Sequence, residues 1–312
     1  MSASYRLSVI GYRLAFQTMQ RVAPERAAAW AERLFFTPSQ TRLSPEQVAI
    51  LEQGRPFSLT VDGRPVRGWS WGQGPTVYLM HGWGSRGGRL GAFVAPLLAA
   101  GYRVVTHDAP GHGASDPGLT SMPEFARTLQ AVVEAAGPAH GVIGHSMGAS
   151  ATALAMSYGL EVSRTVFLAP AANPAAFATG FAALLGLSDD TIERLRARSE
   201  LRLKIRWDDL DVPTMARGFS APLLLIHDRE DALVPWNDGA AIAEAWPDAT
   251  LVSTSGLSHR DLVRNPEVVA RAVRFISEGT PASAATEPAW SAAGLEYELF
   301  HPEERRRAIG VR

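Results

Sequence analysis

Short apolar runs alternate with helix-forming segments along the middle of the chain. Six runs of three to five residues are rich in apolar and β-branched side chains and predict strands: Thr76–Met80, Tyr102–Thr106, Gly141–Ile143, Thr165–Leu168, Pro222–Ile226 and Thr250–Val252. The segments typical of helices are Phe93–Ala100, Met122–Ala136, Ser150–Tyr158, Gly239–Ala245 and Val268–Ser277. This alternation predicts an α/β fold whose sheet is mostly parallel, doubly wound and covered by helices on both faces. Upstream, Phe57–Gly72 alternates around Asp62-Gly63 and predicts a β-hairpin.

The two ends of the chain and one internal segment do not follow this alternation. Residues 1–36 are rich in helix formers, and 1–50 are interpreted as an N-terminal helical extension of the main domain at 51–278. Residues 171–220 separate two predicted strands and predict a small inserted helical cap. Residues 279–312 are poor in large apolar side chains and predict a linker-like C-terminal tail.

Basic residues are frequent in two of these segments. Residues 1–36 hold five arginines and two glutamates, so a basic amphipathic helix on a membrane surface is one interpretation. Because the apolar positions form no clean stripe, packing against the main domain or a second subunit is favoured, which leaves a homodimer open. For the basic residues of the cap, a solvated face is favoured over attraction of an anionic substrate.

Composition removes several classes of function. The formal net charge of −1 over 312 residues gives no overall attraction to nucleic acid or to an anionic membrane. The absence of cysteine excludes disulfides, thiolate catalysis and Cys-ligated metals. No apolar run approaches the length of about 18 residues that would predict a membrane span. Arg6 and Arg13 interrupt the first apolar residues, so no secretory signal is predicted and a cytoplasmic location is the default expectation.

Candidate chemistry lies where the predicted strands end, which is where ligands bind to such sheets. Gly144–Gly148 reads G-H-S-M-G, after an apolar run and before a helix of small residues. The two glycines favour a sharp strand–turn–helix in which a Cβ would collide with the neighbouring strand or helix. Such a turn exposes the Oγ of Ser146 above a helix N-terminus, whose N–H groups suit a developing oxyanion.

Two further loops follow predicted strands on the N-terminal side of this motif. His81-Gly82-Trp83-Gly84 is expected to place the backbone N–H of Trp83 in the site, with the N–H of Met147 as the second oxyanion donor. Asp108–Ser115 is interpreted as a structural loop. A metal site there is disfavoured because no further ligands cluster at suitable spacing.

An acid and a histidine follow the last two predicted strands. Three acids compete for the role of orienting the histidine: Asp231 is favoured, Asp228 is second, and Glu230 is interpreted as solvated. His259 follows the last strand. Together these residues predict nucleophilic catalysis, in which Ser146 attacks, His259 transfers the proton and Asp231 fixes the tautomer.

With these motifs the chain resembles the α/β-hydrolase superfamily over roughly residues 56–277. The resemblance is carried by His81–Gly84, Asp108–Ser115, Gly144–Gly148, Asp231–Pro235 and Ser258-His259. It implies the α/β-hydrolase fold with a cap after the sixth strand, and the chain order nucleophile, acid, histidine. The serine esterase and lipase-like branches are most similar. Ser146 argues against haloalkane dehalogenases and epoxide hydrolases, whose nucleophile is usually aspartate.

The predicted function is that of a serine hydrolase without cofactor or metal, a carboxylesterase for short or medium acyl chains. A small-molecule ester is the expected partner, and His81 with Phe177, Phe181 and Leu184 of the cap is expected to line its pocket. An acyltransferase, thioesterase, amidase or C–C hydrolase would use the same triad. A non-catalytic hydrolase-like binding protein is a further alternative, against which the intact set of Ser, Asp and His argues.

Overall fold

A single eight-stranded sheet organises the computed structural model, which describes residues 3–278 and side chains from residue 7 onward. The strands are β1 (Arg55–Val61), β2 (Arg64–Trp71), β3 (Thr76–Met80), β4 (Arg103–Asp108), β5 (Ala139–His145), β6 (Val162–Leu168), β7 (Leu223–Asp228) and β8 (Ala249–Thr254). Their order in the sheet is β1-β2-β4-β3-β5-β6-β7-β8. Strands β3 to β8 are parallel, whereas β2 is antiparallel to β1 and β4. The predicted mostly parallel sheet is confirmed.

Eleven α-helices occur within the described residues. They are α1 (Ala3–Val22), α2 (Pro24–Phe35), α3 (Pro45–Gln53), α4 (Val94–Ala99), α5 (Met122–Ala136), α6 (Met147–Ser157), α7 (Phe177–Leu185), α8 (Asp189–Leu203), α9 (Val212–Ala216), α10 (Trp236–Ala245) and α11 (Pro266–Ser277). None of the helices in residues 3–278 is long and apolar enough to cross a membrane. The tail predicted at 279–312 lies outside the described residues.

The predicted hairpin is formed by β1 and β2, which pair in antiparallel register from Val61 opposite Arg64. Asp62 and Gly63, between them, have φ angles of 50° and 77°. Two consecutive positive φ angles are what a two-residue turn needs to match the twist of the flanking strands, and Asp-Gly is a preferred pair for it.

The centre of the sheet is almost closed to solvent. Strands β3, β4 and β7 are buried at every position. Val77, Val104 and Val166 are each 0 % exposed. Burying such side chains stabilises the fold by about 1.5–3 kcal/mol each. The carboxyl ends of these strands are therefore a rigid support for the loops that follow them.

The described residues divide into two compact units. The first contains the residues up to Thr37 together with Asn173–Asp211, and the second contains Pro38–Ala172 and the residues from Val212 onward. Within the first unit α1 packs against α2 and α7, and α2 packs against α8. The sequence predicts the N-terminal helices and the insertion as separate segments, because periodicity carries no information on which distant helices pack together.

Ion pairs neutralise most of the basic side chains of the insertion within this first unit. The buried carboxylate of Glu32 accepts from Arg198 at 3.1 Å and from Arg202 at 2.9 Å. Arg194 pairs with Asp190 and Glu25, and Arg196 and Arg206 share Asp208. This pairing weakens the positive field that an anionic substrate would encounter.

Candidate active site

The G-H-S-M-G motif forms the turn between β5 and α6. Ser146 has φ 53° and ψ −125°, a backbone conformation that a serine rarely adopts. A Cβ on Gly144 would lie 2.6 Å from the Cα of Ala149, and one on Gly148 would collide with the carbonyl oxygens of Met80 and His81. Both glycines are thus needed for the close approach of α6 and of the end of β3. Ser146 is half-buried at the N-terminal end of α6.

Asp231 and His259 are joined by a hydrogen bond at the carboxyl ends of β7 and β8. The distance from His259 Nδ1 to Asp231 Oδ2 is 2.7 Å. The other carboxylate oxygen, Oδ1, accepts from the N–H groups of Leu233 at 2.8 Å and Val234 at 3.0 Å. Burial alone would raise the pKa of Asp231, but these hydrogen bonds, that of His259 first, hold it below its ordinary value. Because the carboxylate is ionised, His259 donates from Nδ1 and its Nε2 is left to accept a proton.

A second histidine connects this pair to the serine turn. His145 Nε2 lies 2.9 Å from the backbone carbonyl oxygen of His259, and the two ring centroids are 4.6 Å apart. A carbonyl oxygen only accepts, so Nε2 of His145 carries the proton. Burial lowers the pKa of His145 to about 3, which keeps the ring neutral at physiological pH. The loop of His259 is therefore fastened directly beside Ser146.

The three acids after β7 have three different environments. Asp231 contacts His259, whereas Asp228 is 0 % exposed and accepts from the hydroxyl of Thr254 at 2.7 Å and the N–H of Leu257 at 2.9 Å. Glu230 is exposed. The sequence favours Asp231 over Asp228 but does not show the partners of Asp228, because Thr254 and Leu257 lie 26 and 29 residues later in the chain.

The loop after β3 runs against the serine turn. A Cβ on Gly82 would lie 3.0 Å from the Cβ of Ser146, so the backbone passes as close as a glycine allows. Within the described residues, the N–H groups of Trp83 and Met147 have no hydrogen-bond acceptor. Two such N–H groups near a reacting carbonyl form the arrangement that stabilises an oxyanion, and loss of one typically costs about 3–4 kcal/mol.

Two buried histidines hold this loop in place. His112 Nε2 accepts from the N–H of Gly84 at 2.9 Å, directly after Trp83, while its Nδ1 donates to Pro110. His81 donates from Nδ1 to the carbonyl of Gly82 at 2.8 Å and accepts at Nε2 from Ala109. The sequence-based expectation for His81 is a place in the lining of the substrate pocket. In the structure it is 2 % exposed, with both ring nitrogens bonded to the backbone, and it acts as a loop support.

The loop that begins at Asp108 is tied to its surroundings through the Asp108 side chain. Asp108 Oδ1 accepts from the N–H of Gly87 at 2.7 Å, and Oδ2 accepts from that of Ala114 at 2.8 Å. The buried carboxylate therefore joins this loop to the residues that follow the β3 loop. No group of three or more potential metal ligands occurs within residues 3–278.

The other predicted pocket residues belong to the first unit. Phe177 and Leu184 are 44 % and 39 % exposed on α7, and Phe181 is half-buried with its ring 5.2 Å from that of Phe35. Their contact with substrate stays a prediction.

The similarity to known proteins covers most of the sheet and the helices between its strands. Residues 77–269 match the model of the alpha/beta hydrolase family. Pimeloyl-(acyl-carrier protein) methyl ester esterase of Aeromonas salmonicida is 29 % identical over 65 % of this chain and 96 % of that protein. The protein of the same name from Chromobacterium violaceum is 30 % identical over 65 % of this chain and 94 % of its own length. Non-heme chloroperoxidase of Streptomyces lividans is 27 % identical over 67 % of this chain and 95 % of its own length.

Solved structures give the same result for the fold. The esterase EaEST from Exiguobacterium antarcticum superposes with a TM-score of 0.55 at 17 % identity, over 70 % of this chain and 98 % of that one. Est1E from Butyrivibrio proteoclasticus superposes with a TM-score of 0.56 at 20 % identity, over 71 % of this chain and 96 % of that one. The fold that the motifs predicted is confirmed, and the relatives support a hydrolase.

Proposed function

Because the chain belongs to the alpha/beta hydrolase family, we propose that it is a serine carboxylesterase acting on esters of short or medium acyl chains. The observation that carries the proposal is the 2.7 Å hydrogen bond between His259 and Asp231, held by His145 beside the strained turn of Ser146. The esterase names of two relatives support an ester as the substrate class.

The proposed reaction begins with attack of Ser146 Oγ on the ester carbonyl carbon. His259 Nε2 accepts the hydroxyl proton, and the carboxylate of Asp231 stabilises the imidazolium that forms. The N–H groups of Trp83 and Met147 donate to the carbonyl oxygen as it becomes an oxyanion. His259 then returns the proton to the departing alcohol, which leaves an acyl ester on Ser146.

The second half of the proposed reaction repeats these roles with water. His259 Nε2 accepts a proton from a water molecule, which attacks the acyl carbonyl, and the same N–H groups bind the second oxyanion. Collapse of this intermediate releases the carboxylic acid and returns the proton to Ser146 Oγ. Asp231 stays ionised throughout, consistent with the hydrogen bonds that lower its pKa.

Hydrolysis of p-nitrophenyl acetate and butyrate by wild type and Ser146→Ala tests the proposal. Removal of the nucleophile should lower kcat/KM by roughly 10⁴-fold or more. Ser157→Ala is the matched control, because Ser157 lies at the other end of α6 and its hydroxyl donates to the backbone carbonyl of Leu154 in the same helix. A fluorophosphonate probe should label the wild type and Ser157→Ala but not Ser146→Ala. Equal rates in wild type and Ser146→Ala would contradict the proposal.

A further inference from the structure

Helix α1 has apolar side chains on two faces, of which only one is packed. Phe16 is 0 % exposed and stacks on Trp30, with ring centroids 4.5 Å apart. Leu7, Ile10 and Leu14 are 69 %, 52 % and 60 % exposed. Their spacing of three and four residues places them along one side of the helix. The sequence pattern showed no clean stripe because the packed and exposed apolar positions overlap along the chain.

Helix α7 packs beside α1 and exposes apolar side chains of its own. Arg13 donates to the carbonyl of Ala183, and Gln20 donates to that of Gly186 at 3.2 Å. No residue of α7 is charged, and it exposes Phe177 and Leu184. We call the set Leu7, Ile10, Leu14, Phe177 and Leu184 the α1–α7 face. Of the nine large apolar side chains exposed in the described residues, six lie on these two helices, which is a concentration typical of a binding surface.

The charged side chains of α1 have one sign, whereas two aspartates, Asp189 and Asp190, begin α8 shortly after α7. The first 24 residues contain Arg6, Arg13 and Arg21 and no aspartate or glutamate. Arg21 follows Leu14 by seven residues, about two turns, and so continues the same side of α1. Apolar side chains with arginines beside them fit the membrane surface, where the apolar groups can contact acyl chains and the arginines can contact lipid phosphates. A symmetric contact with a second copy would bring arginines toward arginines, because each partner presents the same patch.

We propose that the α1–α7 face binds the surface of a membrane that contains anionic lipids. The apolar side chains enter the boundary between headgroups and acyl chains, while Arg13 and Arg21 contact lipid phosphates. The chain lies on the membrane and does not span it. This inference uses none of the residues assigned to catalysis, although Phe177 and Leu184 are also predicted to line the substrate pocket, and its test does not depend on esterase activity.

Co-sedimentation of the full chain with two kinds of vesicle tests the inference. Vesicles of phosphatidylcholine with about 30 % phosphatidylglycerol should bind the chain more tightly than phosphatidylcholine alone, and added salt should weaken the binding. Ile10→Glu/Leu14→Glu should abolish binding to both. Arg13→Gln/Arg21→Gln should weaken binding to the anionic vesicles by about 30-fold.

Leu201→Glu is the matched control for the apolar substitutions. Leu201 is 83 % exposed on α8, in the same unit but on neither α1 nor α7, so this variant should bind as the wild type does. Circular dichroism establishes that each variant is folded. Absence of vesicle binding by the wild type, or unchanged binding by Ile10→Glu/Leu14→Glu, overturns the inference. The inference is also overturned if the wild type does not bind vesicles but forms a dimer that Ile10→Glu/Leu14→Glu dissociates. The α1–α7 face would then be a surface for self-association.

Discussion

At the residue scale, Asp228 connects the two loops that carry Asp231 and His259. Its Oδ2 accepts from Thr254 and Leu257, on the chain leading to His259, and its Oδ1 accepts from the N–H of Glu230 at 2.9 Å, next to Asp231. Burial would raise the pKa of Asp228, but these hydrogen bonds outweigh burial and lower it. Asp228 is therefore an ionised positioning residue, which acts through the acid and the histidine.

Asp228→Asn tests this positioning role. Both carboxylate oxygens accept hydrogen bonds, so an amide in either orientation turns its NH₂ toward a donor. We expect kcat for p-nitrophenyl acetate to fall about 10- to 100-fold because the histidine loop shifts. KM should change little, and the acidic limb of the kcat/KM pH profile should move.

Two further variants distinguish a positioning role of Asp228 from a nonspecific loss of structure. Thr254→Val removes one donor and should have a smaller effect than Asp228→Asn. Asp248→Asn alters an exposed aspartate beside β8 and should leave kcat unchanged. If Asp228→Asn keeps the wild-type kcat and pH profile, the positioning role is wrong.

Site residues could be predicted from the sequence where they belong to a short local motif. Ser146 and the glycines around it could be predicted because the sharp turn restricts residue type within five consecutive positions. The support given by His145, His112 and Asp228 could not, since each contacts a backbone group on another loop. Such contacts leave no periodicity and no characteristic spacing in the sequence.

At the scale of elements, Glu32 is the main polar contact between α2 and α8. Its side chain is 8 % exposed and pairs with Arg198 and Arg202. The guanidinium of Arg202 also lies 4.8 Å from the ring centroid of Phe36. An ionised carboxylate at this depth depends on both arginines, and the arginines depend on it for their orientation.

Glu32→Gln should lower the free energy of unfolding by about 2–3 kcal/mol, because it leaves two guanidinium groups facing a neutral amide. Urea unfolding at neutral pH measures this change. Glu25→Gln is the control, since Glu25 pairs with Arg194 at an exposed position and should contribute less than about 1 kcal/mol. Equal free energies of unfolding for Glu32→Gln and Glu25→Gln would contradict a larger contribution from the buried ion pairs of Glu32.

The strands were predicted accurately because their burial restricts the residue types that can occupy them. The strand ends differ from the predicted ones by at most three residues, the largest difference being at β6. Helix α3 was missed because its nine residues are too short for a clear period, and its signals are the Ser44 cap with Gln47 and Pro45 at the first turn. The segment before α4 is a 3-10 helix over Gly87–Phe93, a conformation without the 3.6-residue period.

At the scale of the whole molecule, five buried histidines make stability depend on pH. Burial lowers the pKa values of His81, His112 and His145 to about 3 and that of His107 to about 4, and it also lowers the pKa of His227. In the unfolded chain these groups would take up protons near pH 6.5. The unfolded state therefore binds more protons at mildly acidic pH, and stability is lost as the pH falls from about 6.5 toward 4. Asp108, whose pKa burial raises, acts in the opposite direction, but it is one group against five histidines.

Urea unfolding at pH 7.5, 6 and 5 should show a steep decline in the free energy of unfolding. Each histidine contributes a slope of at most about 1.4 kcal/mol per pH unit. His107→Leu should make the slope shallower by about one proton, because His107 is 1 % exposed and its Nε2 has no partner among the described residues. A stability that stays constant between pH 7.5 and 5 would contradict the neutral state of these rings.

The division of the first unit between two distant stretches of sequence has a consequence during biosynthesis. Helices α1 and α2 leave the ribosome before their packing partners α7 and α8, which follow only after β1 to β6 have been made. At ordinary translation rates this interval is roughly 10–30 s. During that time the apolar side chains with which α1 and α2 contact α7 and α8 are exposed in the nascent chain, and a chaperone that binds exposed apolar segments would bind there.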